Sequence, residues 1–148
     1  MEKKVHIRAA ELSDAELLYR FICDLEDEQL NWEGFYYALT TNLPHEGNIY
    51  LIAELDGMPV GMGSCHVQWL VHHAAPIAEV QELYVVPEYR SQGIGAHLLN
   101  ALIEFARSKN ALQVELSSQL RRVDAHRFYY RQNFINNHLK FVYPLSEH

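Results

Sequence analysis

Positive charge is scarce in this sequence. Twelve Lys and Arg stand against 19 Asp and Glu, a formal net charge of −7 over 148 residues. A protein that tracks nucleic acid needs a basic stripe to neutralise phosphates, so nucleic acid is excluded as a partner. A phosphorylated small molecule is not excluded, because a few local donors suffice to hold one. Long apolar runs are missing too, so no membrane partner is expected. The first ten residues, MEKKVHIRAA, contain no apolar signal core, which makes a cytoplasmic location the expectation. Only two cysteines occur, Cys23 and Cys65, far apart and with no CxxC spacing. One falls in a helical pattern and the other in a strand pattern, so both read as buried reduced thiols. Repeats, low-complexity stretches and linkers are absent, and 148 residues suit a single domain spanning 1–148.

What is present is a clear sequence of periodicities. Val5–Ala9 alternates as a strand, and Ser13-Asp-Ala-Glu16 has the form of a capping box with Ser13 at the N-cap. Leu17, Leu18, Phe21, Ile22 and Leu25 then recur at helical spacing, predicting a helix to about Gln29. A second helical segment surrounds residues 35–39. The period changes to that of strands at 49–53, 60–71 and 77–86, with Asp56-Gly57 as a tight hairpin turn. A helix at 95–106 puts Leu98, Leu99, Leu102, Ile103 and Ala106 on one face, followed by a short strand at 112–116. Asp124 is a candidate N-cap for a helix at 125–132, and 134–144 predicts one or two closing strands. The order β-α-α-β-β-β-α-β-α-β is α+β, with a mixed sheet covered by helices.

Chemistry concentrates in Glu79-Val-Gln-Glu-Leu-Tyr-Val-Val-Pro-Glu-Tyr-Arg-Ser-Gln-Gly-Ile-Gly95, where a strand stops at Pro87 and two glycines open a helix. Gly93 and Gly95 let backbone approach a ligand, and the unpaired N–H groups of the helix's first turn form an anion site. Arg90 adds a positive charge at its mouth. A dinucleotide fingerprint would want a third glycine within a parallel βαβ unit, and a P-loop would want Gly-Lys-Ser/Thr; both are missing.

Arg90-x-x-Gly93-x-Gly95 after Leu-x-Val-x-Pro resembles the acetyl-CoA pyrophosphate loop of the GNAT superfamily of N-acetyltransferases. Ala125-His-Arg-Phe128-Tyr129-Tyr-Arg-Gln-Asn133-Phe134 is similar to that family's second motif. Asn133 replaces the usual glycine before the last Phe, at a helix end that wants a left-handed residue, a conformation Asn tolerates. Arg122 stands where the family often has Asn. The resemblance implies a mostly antiparallel, twisted central sheet, splayed at the acetyl-CoA site and flanked by helices. It implies cosubstrate contacts from Leu83, Tyr84, Val85, Arg90, Ser91, Gln92, Gly93, Ile94, Gly95 and Ala96. It also implies Tyr129 as the acid that protonates the leaving sulfur, and Glu79 as the base that takes the amine proton. On the residues alone the base stays open among Glu79, Glu82 and Glu115, with Glu82 expected on the opposite face of the strand.

His66, Gln68, His72 and His73 gather near the end of the third strand, where a metal, an anionic substrate group or a solvated loop are alternative readings. His66-Val-Gln68…His72-His73, Glu79-Val-Gln-Glu-Leu and Asp124-Ala-His-Arg-Phe-Tyr129 resemble the aminoalkylphosphonate N-acetyltransferase subgroup. That resemblance implies a small-molecule amine substrate with an acidic group, contacted by His66, His73, Arg121, Arg122 and His126, and leaves room for a divalent metal and for a homodimer. Protein or peptide N-acetylation and a non-catalytic acyl-CoA sensor are the alternative functions; the segment 32–48 and the histidine-bearing hairpin would cap the site and favour small substrates.

Overall fold

The computed structural model describes residues 4–146. Their chain divides into two compact units, one ending at Leu116 and one beginning at Ser117. The first contains a five-stranded sheet in the order β1-β2-β3-β4-β5, formed by β1 (Val5–Ala9), β2 (Asn48–Leu55), β3 (Met58–Leu70), β4 (Ala75–Val85) and β5 (Val114–Leu116). Strands β1 to β4 are antiparallel neighbours, and β5 joins β4 in parallel through Ala78–Val80 only. β4 therefore runs on to Val85 with no bond to β5, which is the divergence the resemblance implies.

Helices α1 (Ala15–Glu26) and α2 (Trp32–Asn42) cover one face. Leu18, Phe21 and Leu39 meet Tyr50, Ile52, Met62 and Tyr84 in a closed core there. Helix α3 (Ile94–Ser108) covers the other face with Leu98, Leu99 and Leu102, all fully buried. Small residues bring it close. A Cβ on Gly61 would lie 2.6 Å from the Tyr84 carbonyl and 3.3 Å from Leu98, and one on Gly63 would lie 3.1 Å from Leu102.

Four local expectations change. Ser13 is not the N-cap of α1. It lies in a 3-10 turn at Leu12–Asp14, where Glu11 and Asp14 form the reciprocal cap, and Asp14 also receives two bonds from Arg8 at 2.9 Å. A carboxylate that can satisfy both a backbone N–H and a guanidinium outcompetes a serine hydroxyl for the position. Helix α1 stops at Glu26 rather than near Gln29, because Asp27 turns left-handed at φ 53°. The last helix, α4 (Val123–Arg131), starts two residues before Ala125, so Asp124 sits in its first turn rather than at the N-cap. Finally, no strand occurs among the described residues after Leu116. Ile135, Leu139, Phe141, Tyr143 and Leu145 are each at least 79% exposed. Their alternation reads as a strand, but no neighbouring backbone supplies the ladder a strand requires.

The remaining elements agree with their periodicities. Asp56 and Gly57 take φ 52° and 79°, as a tight hairpin turn between twisted strands demands. Both cysteines are free, Cys65 fully buried and Cys23 partly so.

Candidate active site

The end of β4, a 3-10 turn at Pro87–Tyr89 and the start of α3 place the predicted cosubstrate residues in one continuous run. Ser91 at φ 64° and Gly93 at φ 83° both take left-handed backbone, which wraps the loop over the helix start. The first bond of the helix is His97 N–H to the Gly93 carbonyl at 3.0 Å, so the preceding N–H groups have no carbonyl one turn back to donate to. A Cβ built on Gly93 meets no atom within 4 Å, so the space beside its backbone is open. Ile94 is 1% exposed and anchors the turn into the core. An oxyanion placed here would meet N–H donors and the positive end of a fifteen-residue helix. Arg90 is held at the loop's base, where its Nε donates to the Val85 carbonyl at 2.8 Å and its guanidinium lies 5.7 Å from the Tyr84 ring centre.

The middle of β4 builds the other half of the site. Ser64 pairs with Glu82 but its neighbour Cys65 pairs with Val80, so Gln81 is an extra residue, a β-bulge. The bulge overturns the expectation that Glu82 faces away. Strict alternation would put Glu79 and Glu82 on opposite faces. Instead Glu79 opposes His66 and Glu82 opposes Ser64, and His66 and Ser64 share a face. Glu115 is in register with Glu79 on β5. A cleft of about 100 Å³ results, lined by His66, Gln68, Leu70, Ile77, Glu79, Gln81 and Glu115. Gln81 Nε2 donates to Glu79 Oε1 at 2.8 Å and fixes that carboxylate's orientation.

Behind the cleft lies a polar layer that alternation in the sequence did not disclose. Ser64 Oγ hydrogen-bonds the Glu82 carboxylate and accepts from the Glu82 N–H at 3.1 Å. Burial, with Glu26 nearby, pushes the Glu82 carboxyl above its ordinary pKa against the opposing Ser64 bond. Tyr50 Oη and His66 Nε2 are 2.8 Å apart, and burial holds the His66 imidazole below its usual value while Glu79 pulls the other way. Burial also pushes the Tyr50 hydroxyl up to about 12. Ser64 and Tyr50 were missed because a serine and a tyrosine in an apolar strand carry no signal until the bulge lines them up with Glu82 and His66.

The histidines do not act as one group. His66 lies on β3 with Tyr50, whereas His72 and His73 occupy the turn after it, their rings 4.4 Å apart. His73 Nε2 lies 3.6 Å from Glu115 Oε2. Among the described residues no three His, Cys, Asp or Glu side chains converge as metal ligands. The described residues do not form a metal site.

In the second unit, Gln119 organises the candidate anion-binding residues. Its Oε1 accepts from Arg121 Nε at 2.8 Å and its carbonyl lies 2.9 Å from His126 Nε2. Arg122 is the residue before α4. Tyr129 on α4 packs edge-on to Phe128 and Phe134, with centroids 5.5 and 5.8 Å away. Burial pushes its hydroxyl pKa up and Arg122 counters it. The expected left-handed residue is Asn133, at φ 71°. The helix end is closed by Phe134 N–H to Tyr129 O and Asn133 N–H to Tyr130 O, each 3.0 Å, the two bonds of a Schellman motif.

Residues 11–134 match the family model described as "Acetyltransferase (GNAT) family". The chain is 39% identical to the aminoalkylphosphonate N-acetyltransferase of Salmonella typhimurium over 139 residues, 94% of this chain and 90% of that protein. It is 28% identical to a putative ribosomal protein bS18-alanine N-acetyltransferase of Bacillus subtilis, covering 78% of this chain and 71% of that one. Among solved structures, an aminoglycoside N-acetyltransferase AAC(6')-Iy in complex with CoA superposes with a TM-score of 0.86 at 14% identity, covering 97% of this chain and 96% of that one. Glucosamine-6-phosphate N-acetyltransferase from Arabidopsis thaliana superposes with a TM-score of 0.76 at 16% identity, covering 97% and 99%. No helix among the described residues is long and apolar enough to cross a membrane. The chain belongs to the acetyltransferase (GNAT) family, and it is an acetyl-CoA-dependent N-acetyltransferase.

Proposed function

We propose that the acceptor is a small primary amine bearing an acidic group, of the aminoalkylphosphonate class. The observation that carries this reading is the 39% identity to a protein of that name across nearly the full length of both chains. The site chemistry agrees with it. A cleft of about 100 Å³ accommodates a few heavy atoms, and its carboxylates Glu79 and Glu115 suit an ammonium group. The second unit carries Arg121, Arg122 and His126, the residue types that answer a phosphonate, since guanidinium forks pair well with tetrahedral oxyanions.

An ammonium of pKa about 10 must lose its proton before it can attack. Glu79, oriented by Gln81, takes that proton, and the freed nitrogen lone pair attacks the thioester carbonyl carbon. Backbone N–H groups of the Leu83–Val85 stretch stabilise the oxyanion that forms. As the carbon–sulfur bond breaks, Tyr129 donates its phenolic proton to the departing thiolate. The loop from Arg90 to Ala96 holds the pyrophosphate throughout.

Thiol release followed with acetyl-CoA and amines of equal chain length, ending in phosphonate, carboxylate or methyl, tests the proposal. The phosphonate should give the highest kcat/KM, and neutralising Arg121 or Arg122 should raise KM for it far more than for the methyl-ended amine. Equal kcat/KM across the three amines, or preference for a peptide N-terminus, overturns the substrate class while leaving the acetyltransferase assignment in place.

A further inference from the structure

A line of three side chains runs from the C-terminal end of α1 to the loop before α3. Asp24 Oδ2 accepts from the Tyr84 hydroxyl at 3.1 Å, and Tyr84, 4% exposed, is packed on its other side against Phe21 with ring centroids 5.3 Å apart. The Arg90 guanidinium lies over the same ring at 5.7 Å, and its Nε donates to the Val85 carbonyl. Tyr84 cannot turn without losing the Asp24 bond and the Phe21 contact. Its ring face is thus presented to Arg90 in one orientation. The hydroxyl is bonded to a carboxylate, which leaves the ring more electron-rich and a better platform for a cation. Nothing in the established acetyl transfer requires a buried tyrosine hydroxyl tied to α1.

We propose that Asp24 and Tyr84 are positioning residues that hold the Arg90 guanidinium beside the pyrophosphate loop. Tyr84 meets the cosubstrate only through its backbone N–H; the side chains of Asp24 and Tyr84 act on its affinity through Arg90. Fixing the guanidinium beforehand removes the entropy a free arginine would lose on binding phosphate. The inference rests on reading residues 90–96 as the pyrophosphate site. It adds that α1, the helix over the face that carries the cleft, is tied to the cosubstrate loop through one hydroxyl.

Calorimetry on the full chain tests it with two probes: coenzyme A, and pantetheine, which lacks the pyrophosphate. Tyr84→Leu should weaken coenzyme A about 2–5-fold, the worth of an exposed cation–π contact, and should leave pantetheine unchanged. In an Arg90→Gln background the same substitution should have no further effect on coenzyme A. Because Tyr84→Leu opens a hole in the core, Tyr84→Phe serves as the second variant, since it keeps the ring and removes only the bond to Asp24. Asp24→Asn should weaken coenzyme A in the wild-type background and be silent in Tyr84→Phe. Independent, multiplying losses in either pair, or equal weakening of pantetheine, would overturn the positioning role. If Arg90→Gln and Gly93→Val both leave coenzyme A affinity intact, the pyrophosphate reading has failed and the inference falls with it. If they weaken it but Tyr84 and Asp24 do not, only the positioning role falls.

Discussion

Two parts of the first unit treat half-buried carboxylates in opposite ways. At the β1 edge, Asp14 is answered in full: Arg8 grips it at 2.9 Å through two nitrogens while also reaching Glu54 at 3.1 Å. Arg8 holds the Asp14 carboxyl below its ordinary value, and burial only partly opposes it. At the β4 bulge, Glu82 has a serine for a partner, another carboxylate in its field, and a pKa that burial drives up. The first arrangement spends charge to fix a corner of the fold. The second holds the Glu82 carboxyl above its ordinary pKa beside the cleft, a pattern that marks functional sites more often than scaffolds.

Function should divide along that line. Glu79→Gln preserves the shape of the cleft but cannot take a proton, so kcat/KM should fall about 10²–10⁴-fold, with melting temperature and acetyl-CoA affinity unchanged. Tyr129→Phe should produce a loss of the same order in kcat. Steady-state rates with calorimetry on the same samples check both, and retention of wild-type turnover in either variant removes that residue from its role.

The Asp14 corner should respond in the other currency. Asp14→Ala leaves Arg8 with one partner fewer and should cost about 1–3 kcal/mol of stability, with turnover per folded molecule unaltered. Its pH dependence has a definite sign. A folded pKa below the unfolded value of about 3.9 gives stability that is present above that pH and lost as the pH falls through the folded value. Urea melts from pH 6 down to pH 3 should therefore show the wild-type advantage over Asp14→Ala shrinking. A constant gap would mean that Asp14 contributes packing rather than charge.

Much of this contrast is hidden from a sequence reading, for a specific reason. Helices α1 and α3 follow from Leu18, Phe21, Leu98 and Leu102 because a 3.6-residue period survives any tertiary context. The loop from Arg90 to Gly95 is legible because glycine and a helix start leave few alternatives. Alternation along β4 is reliable only until one extra residue is inserted. Gln81 is that residue, and it moves Glu82 to the face that alternation denies it. The Ser13 cap failed for a related reason: local spacing favoured it, but Arg8, six residues from Asp14, decided which side chain took the position. At 134–144 the spacing predicts one or two strands, yet a strand exists only with a neighbour, and spacing along one chain does not reveal one.

The smallest expected effect bears most directly on the Glu82 carboxyl. Glu82→Gln replaces it with a group that keeps an acceptor for Ser64 and never ionises. In the wild type the folded pKa lies above the unfolded value of about 4.3. The stability conferred by the protonated form is therefore complete below that pH and is lost as the pH rises through the folded value. The variant has nothing to lose over that range. At pH 4 the two proteins should melt together, and with rising pH the variant should become the more stable, by about 0.5–1.5 kcal/mol, the scale of a single net hydrogen bond. Urea melts at half-unit steps from pH 4 to pH 8 measure this directly. If the wild type gains on the variant as the pH rises, Glu82 is ionised and supported in the folded protein, and the contrast with Asp14 disappears. If the variant gains but turnover is untouched, the Glu82 carboxyl shapes the bulge without taking part in the proton's path. If the variant gains and the pH profile of kcat/KM also changes, Glu82 belongs to the catalytic layer with Glu79, and the bulge is the device that brought it there.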